Sequence, residues 1–282
     1  MPELPEVETI ARRLREVILD RTLDQIEVIS PKSFQGETEL VIGSPIKSVQ
    51  RKAKQLRIQF SNGQNLGIHL KMTGQLIFAD RDLRVGGGHP TADWVQSLPS
   101  KHTRIIFKFV DGSSLYFNDQ RLFGWVRTIP DEAFDSQWST FPPDAHEPAF
   151  STSYLAAQIA KKRQPIKLAL LDSTVVGGIG NIYVCDALNV AQIHPVRPSN
   201  SLSRIELEKL VSAVHQVIGE GIERGGTTFD GKYVDVAGFA GGYQNIARVY
   251  GREGDQCFQC GGTIVKTRLN GRGTYFCQNC QQ

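Results

Sequence analysis

The chain opens Met1-Pro2-Glu3-Leu4-Pro5-Glu6-Val7-Glu8, and the second residue of this stretch can become a nucleophile. Removal of the initiator methionine is expected when residue 2 is small, and it leaves Pro2 as a free secondary α-amine. With Met1 in place the same nitrogen is an amide and cannot attack. An α-amino group titrates near pH 8, about two units below lysine, so part of it is unprotonated at neutral pH. A helix starting beside it disfavours the ammonium further. Attack by a secondary amine on a sugar carbon gives an iminium, which is cationic without needing a proton and therefore draws electrons. Glu3, next in the chain, is close enough to serve as general acid or base. Capping and the helix dipole alone also favour Pro and Glu at a helix start, so this stretch needs support from elsewhere.

Four cysteines form a second chemical group. Cys257 and Cys260 are followed after sixteen residues by Cys277 and Cys280. Two Cys-x-x-Cys pairs on paired β-turns supply four thiolates in a tetrahedron, the ligand set of a closed zinc site. With no open coordination position the metal is expected to be structural, a staple for a region too short to have its own core. The segment between the pairs reads as a hairpin of Thr263–Thr267 and Thr274–Phe276. Its tip is Asn270-Gly271-Arg272-Gly273, so Arg272 is expected to project from a rigid point. The fifth cysteine, Cys185, lies alone in an apolar helical stretch and reads as a buried thiol.

Basic and aromatic residues recur at turns. Gln50-Arg51-Lys52-Ala53-Lys54 is a basic cluster at a strand entrance, and His69-Leu70-Lys71-Met72-Thr73-Gly74 runs from strand to turn. In Asn118-Asp119-Gln120-Arg121-Leu122-Phe123-Gly124 an Arg and a Phe stand two apart at a turn. An exposed apolar side chain such as Met72 or Phe123 could fill the space left by an extruded base, and Arg121 could hydrogen-bond the orphaned partner. Each also has a plain structural reading, with Met72 and Phe123 in the core and the cations on a solvated face. Gly177-Gly178-Ile179-Gly180-Asn181-Ile182-Tyr183 puts a Gly-rich turn ahead of a helix, where backbone N–H groups and the Asn181 amide could face a phosphate. Lys161, Lys162, Arg163 and Lys167 add charge nearby. Residues Gly225–Asn245 form a Gly-rich stretch without periodicity, as expected of a loop that is either functional or disordered.

The elements that carry these residues change character along the chain. Val7, Ile10, Leu14, Val17 and Ile18 recur at helical spacing over Pro5–Asp20, with Arg12, Arg13 and Arg15 on the other face. From Thr22 to about Pro130 short β-branched runs broken by Asn-Gly, Asp-Gly and Pro predict an antiparallel sandwich: Gln25–Ile29, Leu56–Phe60, Asn65–Leu70, Arg104–Phe109, Ser114–Phe117 and Gly124–Ile129. Residues 80–102, with Gly86-Gly87-Gly88, read as a long surface loop, and Pro130–Ser151 as an interdomain linker. Helical patterns follow at Tyr154–Lys162, Ile166–Leu171, Ile179–Val190 and Arg204–Ile222. In the last, Leu207, Leu210, Val211, Val214, Val217 and Ile218 make one apolar stripe.

Composition bounds the function class. A chain of 282 residues with 40% apolar content can bury a large core, and its length suggests two domains. No run of 18 apolar residues exists, so a soluble, cytoplasmic protein is expected rather than a membrane one. Residues 1–150 carry 18 basic and 19 acidic side chains, residues 151–282 carry 14 and 10. The modest basic surplus in the second half is compatible with nucleic-acid binding.

Together the Pro-Glu-Leu-Pro-Glu-Val-Glu opening, the two turn motifs, the Gly-rich turn and the cysteine pairs resemble bacterial formamidopyrimidine-DNA glycosylase over essentially the whole chain. Gln120 and Leu122 depart from its usual Pro and Arg, and the 80–102 segment is longer. The resemblance implies an α+β multidomain fold. Its parts are an N-terminal β-sandwich with a flanking helix (1–130), a linker (131–150), a helix-two-turn-helix domain (151–245, with a lesion-capping loop at 225–245) and a zinc ribbon (246–282). It implies an enzyme that excises 8-oxoguanine and formamidopyrimidines through an N-terminal proline Schiff base and cuts the strand by β,δ-elimination. The implied partner is double-stranded DNA with oxidised bases or abasic sites, lying between domains and bound by a single copy; one structural Zn2+ is implied. By the same likeness Pro2, Glu3, Glu6 and Lys54 are catalytic, His69, Asn181 and Arg272 grip phosphates together with Lys54, and Met72, Arg121 and Phe123 fill the vacated stack. Two alternatives stand beside it: an endonuclease VIII-type enzyme acting on oxidised pyrimidines, and a zinc-ribbon DNA-binding protein without catalysis, which would not need Pro2 next to Glu3.

Overall fold

The computed structural model describes residues 1–89, 97–227 and 241–282. Helix α1 (Leu4–Ile18) begins with Glu3 as N-cap, and a capping box joins Glu3 to Glu6. Its apolar stripe, Leu4, Val7, Ile10, Ala11, Leu14 and Ile18, is buried. Two of the arginines expected on its solvated face reach back to strands instead. Arg13 Nη1 donates to the Gly86 carbonyl at 3.0 Å, and Arg15 Nε to that of Val49 at 2.6 Å.

Among the described residues ten strands follow: β1 (Leu23–Val28), β2 (Phe34–Gln35), β3 (Ile46–Lys52), β4 (Gln55–Phe60), β5 (Gln64–His69), β6 (Gly74–Ala79), β7 (Arg84–Gly88), β8 (Thr103–Phe109), β9 (Ser114–Asp119) and β10 (Trp125–Pro130). They form two five-stranded sheets, ordered β1-β8-β9-β6-β7 and β2-β10-β5-β4-β3. All pairings are antiparallel except the short β2–β10 contact, which is parallel. Inward residues of both sheets, among them Phe78, Phe107, Phe117, Leu56, Ile58, Ile68 and Val126, share one core with α1. The expected sandwich with a flanking helix is therefore present.

Two stretches differ from expectation. Within residues 80–102, Arg84–Gly88 is strand β7, paired with β6; residues 90–96 of that stretch lie outside the described residues. The glycines look like a loop because α1 lies directly on them: a Cβ on Gly87 would sit 2.2 Å from Ile10 Cγ1. In the stretch read as a linker, Asp131–Ser139 is helix α2. It packs on β5 and β10 through buried Phe134, and buried Arg57 of the neighbouring sheet strand pairs with its partly exposed carboxylates. Arg57 donates to Asp131 Oδ1 at 2.7 Å and to Asn65 Oδ1 at 2.6 Å, with its guanidinium 4.7 Å over the Phe134 ring.

By contact density the chain divides into Met1–Thr140 with Gly225–Gly241, and Phe141–Arg224 with Gly242–Gln282. In the second unit, α3 (Thr152–Ile159), α4 (Ile166–Leu171), α5 (Asn181–Val190) and α6 (Arg204–Glu223) pack together, and β12 (Arg272–Cys277), paired with β11 (Ile264–Leu269), lies on α5. The predicted α6 stripe is buried throughout. Asp186 on α5, fully buried, accepts the N–H groups of Arg248, Val249 and Tyr250 and the Tyr243 hydroxyl, all within 3.0 Å. Burial pushes its pKa up against those bonds. Tyr243, read as part of the long loop, is thus a core residue. Among the described residues no helix is long and apolar enough to cross a membrane.

Candidate nucleic-acid interface and zinc centre

At the chain start Met1 is 47% exposed while Pro2 is buried and Glu3 and Glu6 are 4% and 8% exposed. Losing Met1 would remove nothing from the core. The Glu6 carboxylate makes two connections. Oε2 accepts the Glu3 N–H at 2.8 Å, and Oε1 accepts the Thr227 N–H at 2.8 Å and the Thr227 hydroxyl at 3.0 Å. Gly226, with φ +80°, leaves room for this: a Cβ there would lie 2.8 Å from Glu6 Cγ. Thr227 is the last described residue before 228–240, so the central part of the expected loop, Thr228 included, lies outside the described residues.

The basic cluster divides between structure and surface. Arg51 is buried against Glu8, with Nε donating to Oε2 at 2.9 Å, and serves to join β3 to α1. Burial would raise Glu8, but Arg51, Arg12 and Arg15 hold it below the ordinary carboxylate value. Lys54 follows Ala53, which takes φ +51° in the turn between β3 and β4. Because Gln55 pairs with His69, that turn brings the Lys54 charge to His69. Desolvation, with the ammonium groups of Lys71 and Lys54, lowers the His69 pKa from 6.5 to about 3. His69 is therefore neutral at pH 7. Its Nδ1 accepts the Lys71 N–H at 3.0 Å, which leaves the proton on Nε2, a donor suited to a phosphate oxygen.

Met72, Arg121 and Phe123, grouped above only by the resemblance, come together. Arg121 Nη1 lies 3.2 Å from Met72 Sδ, and the guanidinium is 4.8 Å over the Phe123 ring. Met72 is 41% and Phe123 51% exposed, so neither is a core residue. Sequence reading missed what holds them. Asp119, fully buried, accepts the Thr73 hydroxyl and, at 2.7 Å, the Gly124 N–H, while the Arg121 N–H reaches Thr73 Oγ1 at 3.0 Å. One carboxylate thus closes both loops. An Asp two residues before an Arg at a turn is the signal that could have found it.

In the second unit Asn181 opens α5, and its Nδ2 donates to the Gly273 carbonyl at 3.0 Å. Its amide is turned to the hairpin that carries Arg272. Lys167, one of the four cations near the Gly-rich turn, is fully buried. Its Nζ donates to the same carbonyl at 3.0 Å and to Thr274 Oγ1 at 2.7 Å. Lys161 and Arg163 are exposed, and Lys162 pairs with Asp172 at 3.2 Å. The hairpin turn is tighter than expected. Asn270 (φ 47°) and Gly271 (φ 74°) form it alone, and exposed Arg272 is the first residue of β12.

The sulfurs of Cys257, Cys260, Cys277 and Cys280 lie within 4.8 Å of one another. Cys257 to Cys280 is 3.8 Å and Cys260 to Cys277 is 3.6 Å. Zn–S bonds of about 2.3 Å in a tetrahedron require S···S separations of about 3.8 Å, so the four residues fit one structural zinc.

Comparison with known proteins covers the whole chain. Residues 1–126 match the formamidopyrimidine-DNA glycosylase N-terminal domain, residues 141–232 the H2TH domain of the same enzyme, and residues 254–282 the zinc finger found in FPG and IleRS. Formamidopyrimidine-DNA glycosylase of Desulfitobacterium hafniense is 38% identical, with all of both chains covered, and that of Geobacillus kaustophilus is 36% identical over all of both. The crystal structure of the MutM (Fpg) protein of Thermus thermophilus is similar with TM-score 0.85 and 34% identity, covering 99% of this chain and 98% of that one. A Lactococcus lactis Fpg mutant in complex with DNA containing Fapy-dG is similar with TM-score 0.89 and 29% identity over all of both chains. The wild-type Lactococcus protein with DNA containing an oxidised pyrimidine gives 0.87 and 29%, again over all of both.

Proposed function

The chain belongs to the formamidopyrimidine-DNA glycosylase family, and on that premise we propose that it excises oxidised purines from double-stranded DNA and then cuts the strand at the resulting site. The observation that carries the reading is the N-terminus: Pro2 lies buried next to two buried carboxylates, under a methionine whose loss leaves the core untouched.

In this reading the Pro2 nitrogen, freed of Met1, gives its electron pair to C1′ of an extruded nucleotide. The glycosidic bond breaks, and its electrons leave with the base, which takes up a proton. Glu3 supplies the proton that opens the sugar ring at its oxygen, and the C1′=N iminium results. Loss of a C2′ proton expels the 3′ phosphate, and loss of a C4′ proton then expels the 5′ phosphate, the iminium accepting electrons in both steps. Glu6 holds the chain start in place from the Glu3 N–H. Lys54, His69, Asn181 and Arg272 bind backbone phosphates, and Met72, Arg121 and Phe123 enter the stack where the base has left, where unstacking costs roughly a few kcal/mol. Zinc, when bound, holds the hairpin under Arg272 and takes no part in bond breaking.

The test is mass spectrometry of the purified N-terminus, then borohydride reduction on duplexes containing 8-oxoguanine or an oxidised pyrimidine. An adduct mapped to Pro2, formed faster on the purine lesion, supports the proposal. An adduct on a lysine side chain refutes the mechanism, and faster trapping on the pyrimidine lesion gives the endonuclease VIII-type specificity instead.

A further inference from the structure

Trp125 and Arg127 stand on β10 beside His69 and are unaccounted for by the chemistry above. In the sheet Trp125 pairs with His69 and Arg127 with Gly67, while Gln55 flanks His69 from β4. Val126 between them points into the core. Trp125 and Arg127 therefore share the outer face, since side chains on a strand alternate. The His69 and Trp125 rings are 5.9 Å apart at 52°, and the Arg127 guanidinium lies 4.3 Å over the indole. Arg127 Nη2 donates to Gln137 Oε1 on α2 at 2.8 Å. Among the described residues, Arg127 Nε is buried without a hydrogen-bond partner.

We propose that Trp125 and Arg127 form a second phosphate clamp, gripping the backbone phosphate next to the one bound by Lys54 and His69. The proposal rests on the DNA-binding reading above. Lys54, His69, Trp125 and Arg127 make a continuous row of cations and N–H donors across neighbouring strands, a charge pattern that fits a polyanion rather than an apolar partner. Stacking on the indole pre-sets the guanidinium plane, so little side-chain freedom is lost when its fork meets a phosphate. From Trp125 to Arg127 the strand advances about 6.8 Å, which carries the row from one phosphate toward the next. Arg127 is not needed to anchor α2, because Arg57 with Asp131 and buried Phe134 already does that.

The experiment measures affinity for a duplex carrying a stable abasic-site analogue as a function of KCl concentration. Each phosphate contact contributes about 0.9 to the slope of log K against log salt, so Arg127→Ala is expected to lower that slope by about one. Ethylation interference should lose one phosphate adjacent to that lost in His69→Ala. Arg127→Met keeps the stem on the indole and should give the same slope, which separates charge from packing. Trp125→Phe keeps the stack without the N–H and should weaken binding several-fold. Lys108→Ala, on the other sheet and paired with Glu27, removes a charge remote from the row and should leave the slope unchanged. An unaltered slope and interference pattern in both Arg127 variants overturns the clamp, as does an equal change in Lys108→Ala. Borohydride trapping by the wild-type protein reports on the glycosylase reading separately: trapping at Pro2 with no Arg127 effect sinks only the clamp.

Discussion

Glu6 binds Thr227 through one carboxylate oxygen while its other oxygen holds the Glu3 N–H. The chain start and the entrance to residues 228–240 therefore depend on one side chain. An amide at this position has a single acceptor and an NH2 that faces a donor. Glu6→Gln should leave a buried N–H unsatisfied and lower stability by about 1–3 kcal/mol. Because both ends are released together, the trapping rate should fall more than the variant's DNA affinity. Urea unfolding and single-turnover trapping check this. A variant with full trapping and reduced stability would make Glu6 a cap and nothing more.

His69 gives a pH dependence of known sign. Its pKa is about 3 in the folded chain against an ordinary 6.5. Below about pH 6.5 the unfolded chain takes up a proton that the folded chain refuses, so this group's contribution to stability falls as pH falls, down to about pH 3. Wild-type protein should therefore lose more stability between pH 7 and pH 5 than His69→Asn does. In an NMR titration the His69 ring should show no inflection near pH 6.5. A normal inflection there would mean that the imidazole is solvated and that its tautomer is not set by Lys71.

The parts of the fold legible in the sequence are those where local pattern and tertiary demand agree. Helical spacing locates α1 and the α6 stripe because each helix buries one face, and β-branched runs locate six strands because those runs supply the apolar core between turn residues. Strand β7 was hidden because close packing of Ile10 requires glycine at position 87, and glycine reads as a loop. Helix α2 was hidden because its stability comes from Arg57 and the sheet rather than from its own pattern. Among site residues, turn spacing leaves both a core and an exposed position open for Met72 and Phe123, and neither their exposure nor the Asp119 knot that orders them can be read from local pattern. Local charge could not separate Lys167, buried under the hairpin, from exposed Lys161 and Arg163. Only the tertiary partner decides which cation is buried.

Zinc removal should reach beyond the hairpin. Lys167 is satisfied by Gly273 and Thr274 of β12, so loosening the hairpin leaves a buried ammonium without these partners, which destabilises strongly. Stripping the metal, or Cys260→Ser, should lower the thermal transition of the α4–α5 region as well as abolish DNA affinity. Lys167→Met should lose less stability on zinc removal than the wild type, since no buried charge is stranded. Arg272→Ala should keep zinc and fold and weaken binding alone. Calorimetry with and without a chelator distinguishes these outcomes; an unchanged helical transition after zinc loss would show that Lys167 finds other partners.

Phe123 offers the sharpest separation of binding from stability. It is half exposed, with Arg121 over one face, so Phe123→Ala should change the unfolding free energy by less than about 1 kcal/mol. Buried Phe134 is the internal standard, where the same truncation should cost about 3–5 kcal/mol. If Met72, Arg121 and Phe123 fill the place of an extruded base, removing one makes extrusion harder and leaves later steps alone. Excision from a paired lesion should then fall much further than cleavage at a pre-formed abasic site, where no base has to be turned out. Met72→Ala should show the same asymmetry, because its sulfur lies against the same guanidinium. Parallel loss of both activities in Phe123→Ala, at unchanged stability, would instead make this cluster a general DNA-docking surface.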